Sequence, residues 1–110
     1  MSSIGETIRN LRIDKQLPLR TVAAFLDIDQ AILSRIERGE RKATREHIVK
    51  LAQYFNVPEN NLLITWLADK VVYEIADESV AFEVLKVAEG KVKYNYKTIK
   101  IKHSLWIKIR

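Results

Sequence analysis

Gln30, Ala31, Ser34 and Arg35 are the residues of this chain whose types and spacing best suit contact with another molecule. At 100° per residue they centre on one side of a helix, while Leu33 and Ile36 share roughly the opposite side. Gln, Ser and Arg are side chains that meet base edges, and Ala31 could touch only a thymine methyl. A short helix offering that set near its start is built to enter a DNA major groove. The cations Arg38, Arg41, Lys42 and Arg45 follow around residues 39–45, a loop leading into another helix N-terminus. Positive side chains beside free helix N–H groups suit the backbone oxygens of DNA. Most Arg- and Lys-rich loops are merely solvated; the place directly after this helix makes phosphate contact the stronger reading.

These side chains need a scaffold, and the flanking pattern supplies one. Pro18 suits the first turn of a helix, where its missing N–H would have no partner. Val22, Ala23, Phe25 and Leu26 then form the core-facing stripe of that helix. Residues 27–29 interrupt the pattern, and Asp29 is a natural N-cap whose carboxylate can accept from the next turn. The second helix of the pair runs to Arg38 and stops at Gly39, which can take the left-handed conformation. Upstream, Ser3 and Glu6 have capping-box spacing, and Ile4, Ile8, Leu11 and Ile13 mark the buried stripe of a first helix. Thr44 and Glu46 open a fourth helix with Ile48, Leu51, Ala52 and Phe55 at helical spacing. Pro58 starts a fifth.

The stretch 18–39 resembles the helix-turn-helix of the XRE, or Cro/C1-type, family of bacterial and phage regulators. Val22, Ala23, Leu26 and Ile28 carry the resemblance, and the run from Leu33 through Ser34, Arg35, Ile36, Glu37 and Arg38 to Gly39 is its most specific part. With the flanking helices it covers residues 4–67. It implies an all-α fold, a five-helix bundle, here followed by an additional C-terminal helix and a basic tail. It also implies that Glu37 pairs with Arg12 on the first helix, a structural ion pair that holds the fold and reads no DNA. Two positions depart from the family. Pro18 and Leu19 replace the polar pair that usually opens the second helix on phosphate, leaving Arg20 as the substitute; Asp27 stands where the turn often has glycine, and it also tolerates left-handed geometry.

Length and composition bound the rest. One hundred and ten residues suit one modest domain with an appendage, and the boundaries expected are 1–67, 68–96 and 97–110. There is no cysteine, which excludes disulfides and thiolate metal sites. No apolar run approaches the roughly 20 residues that span a bilayer. The N-terminal residues lack the basic and apolar regions of a signal peptide, so cytoplasmic residence is the expectation. His47 and His103 are the only imidazoles and lie in unrelated contexts; solvent or phosphate contact is the reading for His47. With no Gly-rich phosphate loop, apolar carboxylate pair or metal-ligand cluster, an enzyme, a metal and a cofactor are all unexpected.

The net charge of +5 is uneven: +3 over residues 1–58, −5 over 59–90 and +7 over 91–110. A basic front half beside an acidic middle is expected if only the front half meets phosphate. Leu62, Leu63, Trp66, Leu67, Val71 and Ile75 extend along a helix of about 16 residues, more than a five-helix core needs. Val80, Phe82, Val84, Leu85, Val87 and Ala88 supply a further apolar helix. So small a domain cannot hide both surfaces, and the expectation is a homodimer whose interface includes Leu63, Trp66, Leu67, Val71, Phe82 and Leu85. The competing reading is an antitoxin whose acidic half binds a toxin while its helix-turn-helix binds a promoter. In the tail, Ile99, Ile101, Leu105, Ile107 and Ile109 alternate with polar residues, a period that argues for a strand. A frayed end, a strand paired with a two-fold mate and a basic arm toward DNA remain open there.

Overall fold

The computed structural model describes the backbone of residues 2–109 and the side chains of residues 2–98. Among the described residues six helices follow in order: α1 (Ile4–Asp14), α2 (Leu19–Leu26), α3 (Gln30–Glu37), α4 (Arg45–Phe55), α5 (Glu59–Ile75) and α6 (Ala81–Ile109). No strand occurs among the described residues. The chain divides into two compact units, residues 1–73 and 74–110.

The first unit is built around one apolar cluster to which every helix from α1 to α5 contributes. Ile8, Val22, Leu33, Ile48 and Leu51 are its most deeply buried large side chains, one or two from each of α1 to α4. Leu62, Leu63 and Trp66 close it from the first half of α5. Full burial of each such side chain stabilises by about 1.5–3 kcal/mol relative to leaving it in water. Leu63 and Trp66, expected at an interface between copies, therefore belong to the chain's own core. The large apolar residues of α5 that remain exposed are Ile64, Leu67, Val71, Val72 and Tyr73. Two other expected core positions face outward. Ile13 sits in the last turn of α1 and is exposed, and exposed Phe25 stacks on Tyr54 with ring centroids 4.6 Å apart.

The helix ends follow one device. Gln16, Asp27, Gly39 and Asn56 have φ of 54°, 58°, 76° and 53°. Past each of them an amide reaches back five residues: Leu17 to Arg12 O, Ile28 to Ala23 O, Glu40 to Arg35 O and Val57 to Ala52 O, at 2.8–3.0 Å. This satisfies carbonyls the helix end would leave free. Only one of the four left-handed residues is glycine. At the other three the strain of a side chain at positive φ is offset by the next residue, since Leu17, Ile28 and Val57 all pack on the core.

Helix starts agree with the sequence reading in position and differ in detail. Ser3 caps α1, its hydroxyl accepting from the Glu6 amide at 3.2 Å. Pro18 stands one residue outside α2, as its extended N-cap. Asp29 occupies the N-cap of α3, but its carboxylate makes no capping bond.

The second unit is the end of α5, a turn and α6. The tail's alternation does not become a strand: α6 runs on to Ile109. A lone strand would leave its N–H and C=O groups without partners, whereas each residue added to an existing helix makes an internal hydrogen bond.

Candidate nucleic-acid interface

α2 and α3 meet across residues 27–29, and their apolar stripes fix which side of α3 faces out. Leu33, Ile36 and Glu37 are buried; Gln30, Ala31 and Arg35 are exposed, with Ser34 half-buried between the two sets. The four side chains expected to contact bases thus lie on the free side of one two-turn helix.

The far end of α3 is held by an ion pair. Arg12 Nε donates to Glu37 Oε2 at 2.8 Å, and Nη2 donates to Oε1 at 3.0 Å. The third bond, Nη1 to the Leu17 carbonyl at 2.8 Å, ties the same guanidinium to the turn before α2. The bond to Glu37 outweighs burial and raises the Arg12 pKa above its ordinary value. Such a pair is weak evidence for net stability, yet it fixes orientation, because any other placement of α3 would leave a charge buried alone. α1 presses on the same point. Gly5 is buried there, and a Cβ built on it would lie 2.5 Å from the Ile36 carbonyl oxygen. Only a residue with no side chain admits that approach.

The basic loop after α3 ends at the N-terminus of α4. Thr44 accepts from the His47 amide and its own amide donates to His47 Nδ1, both at 3.2 Å. His47 is therefore part of a reciprocal cap, a role absent from the sequence reading although the three-residue spacing from Thr44 signals it. Nδ1 must be unprotonated to accept, and the pKa of His47 is lowered, chiefly by burial, with Lys50 and Arg41 acting in the same direction against Glu46.

The expected phosphate cations differ in freedom. Arg20 is exposed near the start of α2, and Arg41 and Arg45 are exposed in and after the loop. Arg38 pairs with Glu40 at 3.3 Å, both half exposed. Lys42 rests its ammonium 4.7 Å from the centre of the Tyr73 ring. Exposed pairs of this kind contribute at most about 1 kcal/mol and yield readily to a phosphate. The loop itself is anchored from beneath: the indole N–H of Trp66 donates to the Ala43 carbonyl at 3.0 Å, both residues being buried. That link between α5 and the loop is another contact absent from the sequence reading. Among the described residues no cluster of His, Cys, Asp and Glu could hold a metal ion, and no helix is long and apolar enough to cross a membrane.

Comparison with known proteins matches this architecture. The chain is 34% identical over 64 residues to RghRB of Bacillus subtilis (strain 168), an uncharacterized HTH-type transcriptional regulator, covering 57% of this chain and 46% of that protein. To the HTH-type transcriptional repressor RghR of the same organism it is 33% identical over 64 residues, 57% of this chain and 47% of that one. The chain thus spans a little under half the length of these relatives. Among solved structures it is similar to the clp gene regulator ClgR from Corynebacterium glutamicum, with 26% identity and a TM-score of 0.52 over 77% of this chain and 88% of that one. It is also similar to the restriction-modification controller protein C.AhdI from Aeromonas hydrophila, with 30% identity and a TM-score of 0.49 over 54% and 89% of the two chains. The family model described as Helix-turn-helix matches residues 8–62, half of the chain and all of α2 to α4. The chain belongs to that helix-turn-helix family, of XRE type, whose members are DNA-binding transcriptional regulators and not enzymes.

Proposed function

We propose that this chain is a sequence-specific regulator that binds double-stranded DNA as a homodimer on a palindromic operator. The observation that carries the reading is the exposed polar side of α3, held over a buried seam by the Arg12–Glu37 pair and by Gly5. Gln30, Ala31, Ser34 and Arg35 read base edges in the major groove, and Arg20, Arg38, Arg41, Lys42 and Arg45 contact phosphates. The dimer is supported by apolar surface that the first unit leaves uncovered at Leu67 and Val71, and that the second leaves at Phe82 and Leu85. In role it is nearest a restriction–modification controller or a phage-type repressor, as the sequence resemblance suggests. An antitoxin is the weaker reading, because residues 59–75 form α5 within the single chain, with Leu62, Leu63 and Trp66 in its core.

Selection of bound sequences from a random DNA pool tests this directly. The expected motif has two inverted half-sites about 34 Å apart or a multiple of that. Arg35→Ala should cost about 1–3 kcal/mol on that site and relax one base position per half-site. Arg41→Gln or Lys42→Gln should weaken binding to all sequences alike and flatten its salt dependence. An unchanged motif after Arg35→Ala would remove Arg35 from the readers, and no enriched motif at all would overturn the proposal.

A further inference from the structure

The second unit carries more apolar surface than a solvated helix needs, and its charge is sharply divided along its length. α6 has 29 residues, which at 1.5 Å each make a rod of roughly 44 Å. Val87 and Val92 are 59% and 66% exposed, and Leu85 is 42% exposed. Leu85, Ala88 and Val92 are spaced by three and four, and the sequence continues the seam with Asn95, Ile99 and Trp106. Positions 85, 92, 99 and 106, one rank of a heptad repeat, are therefore all apolar. The other rank has the small residues Ala81 and Ala88 and then the polar Asn95 and Lys102, the kinds of seam residue that specify register at a cost in stability.

We propose that α6 pairs with α6 of a second copy of this chain, and that the two run antiparallel. The inference rests on the dimeric reading above and adds its geometry. Charge decides the direction. Within α6, residues 81–90 hold two acidic side chains against one basic, and residues 91–109 hold six basic and none acidic. A parallel pair would set six positive charges beside six more along about two thirds of the rod. An antiparallel pair moves most of these charges apart and lays the end of each basic stretch along the partner's first turns, which carry Glu83 and Glu89, where the fields attract. Glu89 already pairs with Lys93 on its own helix at 2.8 Å, so the direction comes from the two halves as wholes and not from one cross-chain bridge. A DNA backbone is the rival partner for the basic half. The apolar rank argues for the second copy, since it continues through that half at positions 99 and 106, and phosphates have no use for it.

The chain has no cysteine of its own, so a single introduced one is unique. The full-length chain would be prepared as Ala81→Cys, Leu85→Cys, Ala88→Cys, Val92→Cys, Asn95→Cys and Ile99→Cys, oxidised, and run without reductant, with and without operator DNA. An antiparallel pair about a two-fold axis brings identical residues together only near that axis, because a disulfide tolerates Cα separations of only about 4–7 Å. The expected result is linking at one position or two neighbouring ones, at least tenfold above the ends of the series, and unchanged on DNA. Comparable linking at every position would mean a parallel pair and overturn the proposal. Linking that disappears on DNA would assign the basic half to the duplex and also overturn it. No linking in a protein that sediments as a dimer would reject α6 while leaving the dimeric reading intact; a monomer would reject both.

Discussion

Replacing Gly5 by alanine sets two effects against each other. Gly5 is the second residue of α1, and helix propensity alone would make alanine there better by at most about 1 kcal/mol. Its Cβ, however, would lie 2.5 Å from the Ile36 carbonyl oxygen, 2.6 Å from that of Glu37 and 3.0 Å from the Glu37 carbonyl carbon. All three are main-chain atoms, and none can rotate aside. Ordinary contact begins at 3.4 Å, so the end of α3 must withdraw from α1 by roughly 0.9 Å. Overpacking costs about 1–3 kcal/mol, and contacts this short with unyielding backbone belong in the upper part of that range, so a net loss of about 1–2 kcal/mol remains after the propensity gain. The melting temperature should fall by about 5–15 °C. The movement falls on the helix that presents Gln30 to Arg35. Hydrogen bonds to base edges work over only about 2.7–3.2 Å, so specific binding well below the melting temperature should weaken at least tenfold while non-specific binding changes little. Thermal unfolding and DNA titration at two salt concentrations measure both. A Gly5→Ala protein as stable as its parent, with its specificity intact, would refute the claim that this contact places α3.

Arg12→Met should destabilise by about 3–5 kcal/mol, because it leaves Glu37 buried without its partner and removes a donor from the Leu17 carbonyl; adding Glu37→Leu should recover most of that loss, and a urea-unfolding cycle reads the coupling. A single-variant cost below about 1 kcal/mol would show that the pair is not holding α3. His47 has a lowered pKa in the folded chain, so below 6.5 the unfolded chain binds the proton more readily. The stability its cap contributes should therefore be present above pH 6.5, decline as pH falls through that value, and be gone below the lowered one. His47→Gln should remove this part of the pH dependence, and a slope that survives the substitution would place its origin elsewhere.

Periodicity made the first four helices and the outward side of α3 legible, because each is short and carries a single apolar stripe. It was less informative for α5, where apolar residues occupy more than one side. Nothing in the spacing tells that Leu63 and Trp66 turn to the core while Leu67 and Val71 do not; that depends on where Ala43 and the basic loop lie. Phe25 fits the α2 stripe by angle but stands at its edge, where Tyr54 of α4 offers a ring to stack on. Helix stops marked by glycine were visible at Gly39 alone. Asp27 is legible as a residue that tolerates left-handed geometry, while Gln16 and Asn56 do the same work with an aliphatic residue directly behind them, a signal that a search for glycine passes over. The alternation after Thr98 has the period of a strand, but a strand is half of a pair, and the helix already under way needed no partner.

The two ends of the first unit's helical core are tied together late in synthesis. The first amide of α1, on Ile4, donates to the Asp69 carboxylate on α5 at 2.7 Å, across 65 residues of chain. At synthesis rates of about 5–20 residues per second, Ile4 leaves the ribosome roughly 3–13 s before Asp69. Helix formation takes about a microsecond, so α1 spends nearly all of that interval without its distant acceptor. Ser3, whose hydroxyl serves the Glu6 amide from three residues away, is available from the start. The newborn helix thus begins under a local clasp and receives the remote one only when the last core helix of the first unit arrives.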